Sequence, residues 1–148
     1  MPFTAADVTN ACTGLWNANQ ADCSAFVRAV ADAVGVQIAG DADDIVGLIT
    51  SSADWTKCAD GIAASDAASG AKLVIGGLTA HEVGNGATHG HVVVVVKPTG
   101  PLARGKYPYA YWGSLASGKV RTDGGLGTTV NYAFNAAVRD AVHYASIG

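Results

Sequence analysis

The sequence predicts an α+β fold, with helices from the first half laid on an antiparallel sheet built from the second. Three observations carry this. Up to Gly70, apolar residues recur at intervals of three and four, the helical period. Beyond it come short β-branched or aromatic runs closed by Gly or Pro, which is how strands read. The run Val92–Val96 is apolar at every position, which places it at the sheet's centre, covered on both faces. Helices first and strands afterwards, without alternation, predicts helices packed on one side of the sheet.

The elements follow in order. Thr4-Ala5-Ala6-Asp7 is a capping-box variant, and Val8, Cys12, Leu15 and Trp16 have helical spacing, giving a first helix over about 5–17. Cys12 falls on its apolar stripe. Asp22 is a good N-cap for a second helix, in which Phe26, Val30 and Val34 share a face with Val27 and Gly35 is the stop. Asp41, Asp43 and Asp44 precede Ile45, Val46, Leu48 and Ile49 and read as the acidic start of a third helix. They lack the alternating ligands and closing Glu of a calcium loop. Trp55 and Cys58 fall in a turn region. Ala59–Ser69 is a small-residue helix closed by Gly70. Strands are expected at Leu73–Ile75, Val92–Val96, Tyr107–Trp112, Thr128–Phe134 and Val142–Ile147. Between the first two lies Thr79–Gly90, a Gly-rich loop with His81, Glu82 and His89, long enough to line a site.

Composition excludes several classes. The chain has 148 residues, enough for one domain with a core, and 49% are apolar. With nine Lys and Arg, a net charge of −3 and no basic run, nucleic acid is not the expected partner. The longest apolar run is strand length, far short of a membrane span. Met1-Pro2-Phe3-Thr4 has neither the charge nor the apolar stretch of an export signal, so none is expected. Three Cys leave at least one unpaired. Cys12 and Cys58 are open to pairing or to core packing.

Two residues carry the chemistry. Cys23, just after its N-cap, sits where unpaired N–H groups and the positive end of the macrodipole stabilise a thiolate. His91 opens the central strand behind Gly90, whose missing side chain permits close approach of backbone or substrate. An imidazole takes the thiol proton, the thiolate attacks a carbonyl carbon, and the imidazolium protonates the leaving amine. The Cys23 N–H is the expected oxyanion donor. His89 and His91 form an H-x-H that would point one way along a strand. With Cys23 they make a weak candidate zinc site.

At these positions the chain resembles a known group. Asp-Cys-Ser-x-Phe-Val at 22–27 followed by Gly-His-Val at 90–92 is similar to the NlpC/P60-type cysteine peptidases. The match is nearer to the type VI secretion amidase effectors. Asn10-Ala11-Cys12 with Trp16, Trp55-Thr56-Lys57, Leu73-Val74-Ile75 with Gly77-Leu78, Lys106-Tyr107-Pro108 and Gly113-Ser114 resemble them in the same order. The resemblance implies a papain-like NlpC/P60 fold, one catalytic amidase domain over 1–148, and catalysis by Cys23 and His91. It implies hydrolysis of a peptidoglycan stem-peptide amide at meso-diaminopimelate, either γ-D-Glu–diaminopimelate or the D-Ala cross-link. It also implies an antibacterial toxin made in the producer's cytoplasm, injected by the type VI apparatus, acting in a neighbour's periplasm and plugged by a cognate immunity protein. No cofactor, nucleic acid or membrane insertion is expected. Asp22, Ser24, His89 and Tyr111 are the expected substrate neighbours.

One position departs from the pattern. The group that orients the imidazole falls in register at Trp112, whose indole donates but does not accept. Its backbone carbonyl, Tyr111, Ser114, or no third group at all are the alternatives. A non-catalytic wall-peptide binding module and a zinc hydrolase built on Cys23, His89 and His91 are the rival functions.

Overall fold

The computed structural model describes residues 2–84, 86–114 and 125–148. Three helices come first: α1 (Ala5–Asn19), α2 (Cys23–Ala33) and α3 (Ala42–Ser51). Then follow β1 (Thr56–Cys58), α4 (Gly61–Ser69), β2 (Leu73–Leu78), the one-turn α5 (Ala80–Val83), β3 (His91–Val95), β4 (Tyr109–Tyr111), β5 (Leu126–Thr129) and β6 (His143–Ile147). Short 3₁₀ turns at Val130–Tyr132 and Arg139–Ala141 join the last two strands. The sheet is antiparallel, in the order β1-β6-β2-β3-β4-β5. This is the expected α+β arrangement, consistent with a papain-like fold.

The β3 valines show why both faces need cover. Val92, Val94 and Val96 point into one cluster with Phe26, Val30 and Ile45 from the first helices. Val93 and Val95 point into another with Ala64, Ala68 and Tyr144. α4 therefore lies on the opposite face from α1–α3, and the helices are not confined to one side. A strand buried on both faces leaves no other solution. The small residues of α4 let it pack closely on the sheet, and Gly61, Ala64, Ser65 and Ala68 are all buried.

Other boundaries differ from the sequence expectation. Residues 56–58 form an edge strand paired with β6 in place of the expected turn. Its three residues carry too little alternation to register. The Thr128–Phe134 run is strand only to Thr129, then tightens into a 3₁₀ turn that drops Phe134 into the core. The aromatic strand is likewise shorter, Tyr109–Tyr111. In the Thr79–Gly90 segment, of which Asn85 lies outside the described residues, Thr79 and Glu82 form a capping box around α5. The Ala80 N–H donates to Asp43 of α3 at 2.8 Å, and Glu82 meets His143 at 2.6 Å. The first half of this segment is thus pinned. Asp41 and Asp44 cap α3 reciprocally, as expected of the acid cluster. All three Cys are free thiols; Cys12 is in the core and Cys58 half-buried. No helix among the described residues is long and apolar enough to cross a membrane.

Candidate active site

The start of α2 is anchored on three sides. The Trp16 indole N–H donates to the Trp112 carbonyl at 2.9 Å, and the Ser114 N–H donates to Gln20 at 2.9 Å. Between them Gly113 lies so close to the α1–α2 turn that a Cβ there would stand 2.4 Å from the Asn19 carbonyl oxygen and 2.7 Å from that of Asp22. Asp22 caps the helix, accepting from the Ser24 N–H (3.0 Å), the Ser24 hydroxyl (2.8 Å) and the Ala25 N–H (3.2 Å).

This anchoring puts the Cys23 sulfur at the end of β3. Val96 donates to Tyr109 of β4, so the N–H groups of the even-numbered β3 residues face β4. β4 pairing stops at Val94↔Tyr111, because the chain then turns away to meet α1 and α2. The vacated position beside Val92 is taken by the thiol. It donates to the Gly90 carbonyl at 3.9 Å, and the Val92 N–H bonds to the sulfur. The sulfur therefore touches the backbone on either side of His91.

The imidazole of His91 belongs to the face of Val93 and Val95. It sits edge-on to the Phe134 ring at 5.3 Å and to the Trp112 ring at 6.4 Å. No hydrogen-bond acceptor holds it among the described residues; its surroundings are aromatic. Burial pushes its pKa down from 6.5 to about 4, so the ring is neutral at pH 7.

The thiol is not the ready-made thiolate that a first-turn position suggests. Burial pushes its pKa up, and Cys23 is only 2% exposed. The Val92 N–H pulls the pKa down, the Asp22 carboxylate pushes it up, and the N–H groups of Ser24 and Cys23 pull it down. The expected helix-terminus donors are present, but desolvation outweighs them. What results is a neutral thiol seated against the backbone on either side of His91, whose imidazole is neutral too.

No family model matches the chain. It is 38% identical over 145 residues to the peptidoglycan amidase Tse1 of Pseudomonas aeruginosa, a match spanning 93% of this chain and 86% of that protein. The chain belongs to the Tse1 family of peptidoglycan amidases. These are the type VI amidase effectors that the ordered motifs resemble.

Set within that family, the remaining candidates separate. Asp22 and Ser24 are committed to each other in the helix cap. Tyr111 reaches Thr13 of α1 through its hydroxyl at 3.2 Å. The Trp112 carbonyl already accepts the Trp16 indole, while its ring contacts His91. Ser114 is half-buried and tied by its N–H to Gln20. His89 is exposed and lies in a bend before β3, so the strand alternation expected of the H-x-H does not apply. Among the described residues no three His, Cys, Asp or Glu gather to hold a metal ion, so Cys23, His89 and His91 do not form the zinc site of the rival function. His143 pairs with Glu82, in keeping with a structural role. Gly90 is required by the molecule itself: a Cβ there would strike the Leu78 carbonyl and the Asp43 carboxylate, each at 2.6 Å.

Two site residues escape sequence reasoning. Phe134 falls at the end of an expected strand, and nothing local marks it as a neighbour of residue 91. Gly113 looks like an ordinary strand terminator, yet its small size sets how close α2 comes to the sheet.

Proposed function

We propose that this protein is a cysteine amidase that hydrolyses a stem-peptide amide of peptidoglycan at meso-diaminopimelate, with Cys23 as nucleophile and His91 as general base and acid. The observation that carries the reading is the sulfur's seat against the backbone on both sides of His91, in a relative of a peptidoglycan amidase. On attack, the thiol proton passes to the neutral imidazole as the S–C bond forms at the scissile carbonyl. The imidazolium returns that proton to the departing amine as the C–N bond breaks. Water, deprotonated by the same imidazole, then releases the acyl group as a carboxylate and restores the thiol. The Cys23 N–H, which carries no oxygen acceptor among the described residues, is the oxyanion donor.

Family membership supports the biological setting. The protein acts as a type VI effector in the periplasm of a target cell, and a cognate immunity protein covers the cleft. The aromatic contacts of Phe134 and Trp112 support a Cys–His dyad whose imidazole is oriented by packing. Mass analysis of digested sacculi tests the proposal. Wild-type protein releases new peptide fragments whose masses identify the bond, and Cys23→Ala releases none. Full activity in Cys23→Ala would overturn the mechanism.

A further inference from the structure

The sheet face that carries His91 also borders a pocket. Gly76 of β2 pairs with Val93 on one side and Tyr144 of β6 on the other. A Cβ on Gly76 would meet both the Tyr144 ring and the Val93 side chain, so all three point to one face, and His91, two residues before Val93, shares it. With strands about 4.8 Å apart, Tyr144 and Val93 are about 10 Å apart across the row. Beside Tyr144 opens a pocket of about 220 Å³, walled in part by Ile62, Lys106, Tyr107, Arg139 and Asp140.

Its charges are unequally satisfied. Asp60, at the rim, caps α4. Asp140 accepts from the Tyr107 hydroxyl at 2.7 Å and from the Lys106 ammonium at 2.9 Å, which also settles Lys106. Arg139 acts on Asp140 only through its longer-range field and has no carboxylate within ion-pair distance among the described residues. Its guanidinium lies over the Tyr107 ring, 5.0 Å from the centroid, and its Nε is buried without an acceptor among those residues. An arginine held over an aromatic ring and lacking a paired anion is a fork available to a planar carboxylate. Asp60 and Asp140 nearby weigh against a doubly charged phosphate. Ile62, 45% exposed, and Val142 provide apolar wall for an aliphatic stem.

We propose that this pocket is a carboxylate-binding subsite, in which Arg139 takes a free carboxylate of the wall peptide cut at Cys23. The inference rests on the hydrolase reading above. The subsite would give the enzyme a preference for stem peptides whose acid groups are not amidated.

The test compares hydrolysis of a synthetic stem tetrapeptide with that of analogues in which one carboxylate at a time is a carboxamide, using wild type and Arg139→Gln. For wild type, one analogue should be poorer by about tenfold in kcat/KM, mostly through KM. Arg139→Gln should lose the same factor on the free acid and no longer distinguish the two. Wild type cutting every analogue as well as the free acid overturns the subsite and leaves the hydrolase reading intact. So does Arg139→Gln retaining the wild-type ratio. If no peptide is cut by either protein, the hydrolase reading fails. Equilibrium binding of the free-acid peptide to Cys23→Ala, with and without Arg139→Gln, then decides the subsite: a loss of about tenfold supports it and equal affinity overturns it. Should Arg139→Gln not fold, Arg139→Lys keeps the charge without the fork and should show an intermediate preference; an undiminished preference overturns the proposal.

Discussion

The surroundings of the sulfur and of the imidazole are built on opposite principles. Cys23 is held by backbone hydrogen bonds: a capped helix terminus, the Gly90 carbonyl and the N–H groups of Val92, Ser24 and Cys23. His91 is held by ring edges from Phe134 and Trp112. Backbone fixes position tightly and offers charge stabilisation. Aromatic packing fixes orientation and removes water. The difference teaches that burial dominates the electrostatics on both sides, raising the thiol and lowering the imidazole. Both groups are therefore neutral at pH 7, and the proposed mechanism needs proton transfer from thiol to imidazole once substrate is bound.

The largest effect outside Cys23 and His91 themselves is expected where the two surroundings are clamped together. Gly113→Ala places a Cβ against two backbone carbonyls, which have no rotamer to move into. It should cost about 1–3 kcal/mol in denaturant unfolding. It should also displace the sulfur enough to cut kcat/KM by about a hundredfold. Wild-type activity in a folded Gly113→Ala would show that the α2 docking distance is unimportant.

Loosening only the aromatic side should do less. Phe134→Leu removes one ring edge from His91, and a drop of about tenfold in kcat with little change in KM is expected. Admitting water should also raise the imidazole pKa from about 4 toward 6.5, moving the acid limb of the kcat/KM profile upward. An unmoved limb would remove Phe134 from the orienting role.

The buried imidazole makes a further difference in stability. Its folded value lies below its ordinary one, so its contribution is present above pH 6.5 and lost as pH falls toward about 4. The stability of wild type relative to His91→Leu, measured by urea unfolding, should therefore shrink between those two values. A constant difference would mean that the ring titrates alike folded and unfolded.

The smallest effect tests the polar side alone. Asn is as good an N-cap as Asp, so Asp22→Asn should change stability by only about a few tenths of a kcal/mol. It removes the carboxylate that raises the thiol pKa, so iodoacetamide labelling of Cys23 should begin at lower pH than in wild type. In wild type the labelling rate should climb only above pH 9, the ordinary thiol value being 9.0. Rapid labelling at pH 7 would show that the N–H groups outweigh burial after all.

Much of this is legible in the chain. The cap at Asp22, the helical stripe of Phe26, Val27 and Val30, and the unbroken valines of β3 are local patterns, and each appears in the structure at the expected place. They carry Cys23 to a helix mouth and His91 to a strand start because period and capping depend only on near neighbours. The edge strand at Thr56–Cys58, the turn that carries Phe134 inward and the placement of α4 on the far face are not legible. Each is set by what lies opposite in space.

By itself the sequence determined the two candidate residues, Cys23 and His91, the elements that carry them and the family. Only the tertiary structure decided that the sulfur would fill the ladder position left open by β4, that the imidazole would sit among aromatic edges, and that both would be neutral. The reason is physical. Local hydrogen bonding and hydrophobic period act over a few residues, whereas desolvation depends on every group packed nearby, including those 67 residues away across the Cys23–Gly90 contact.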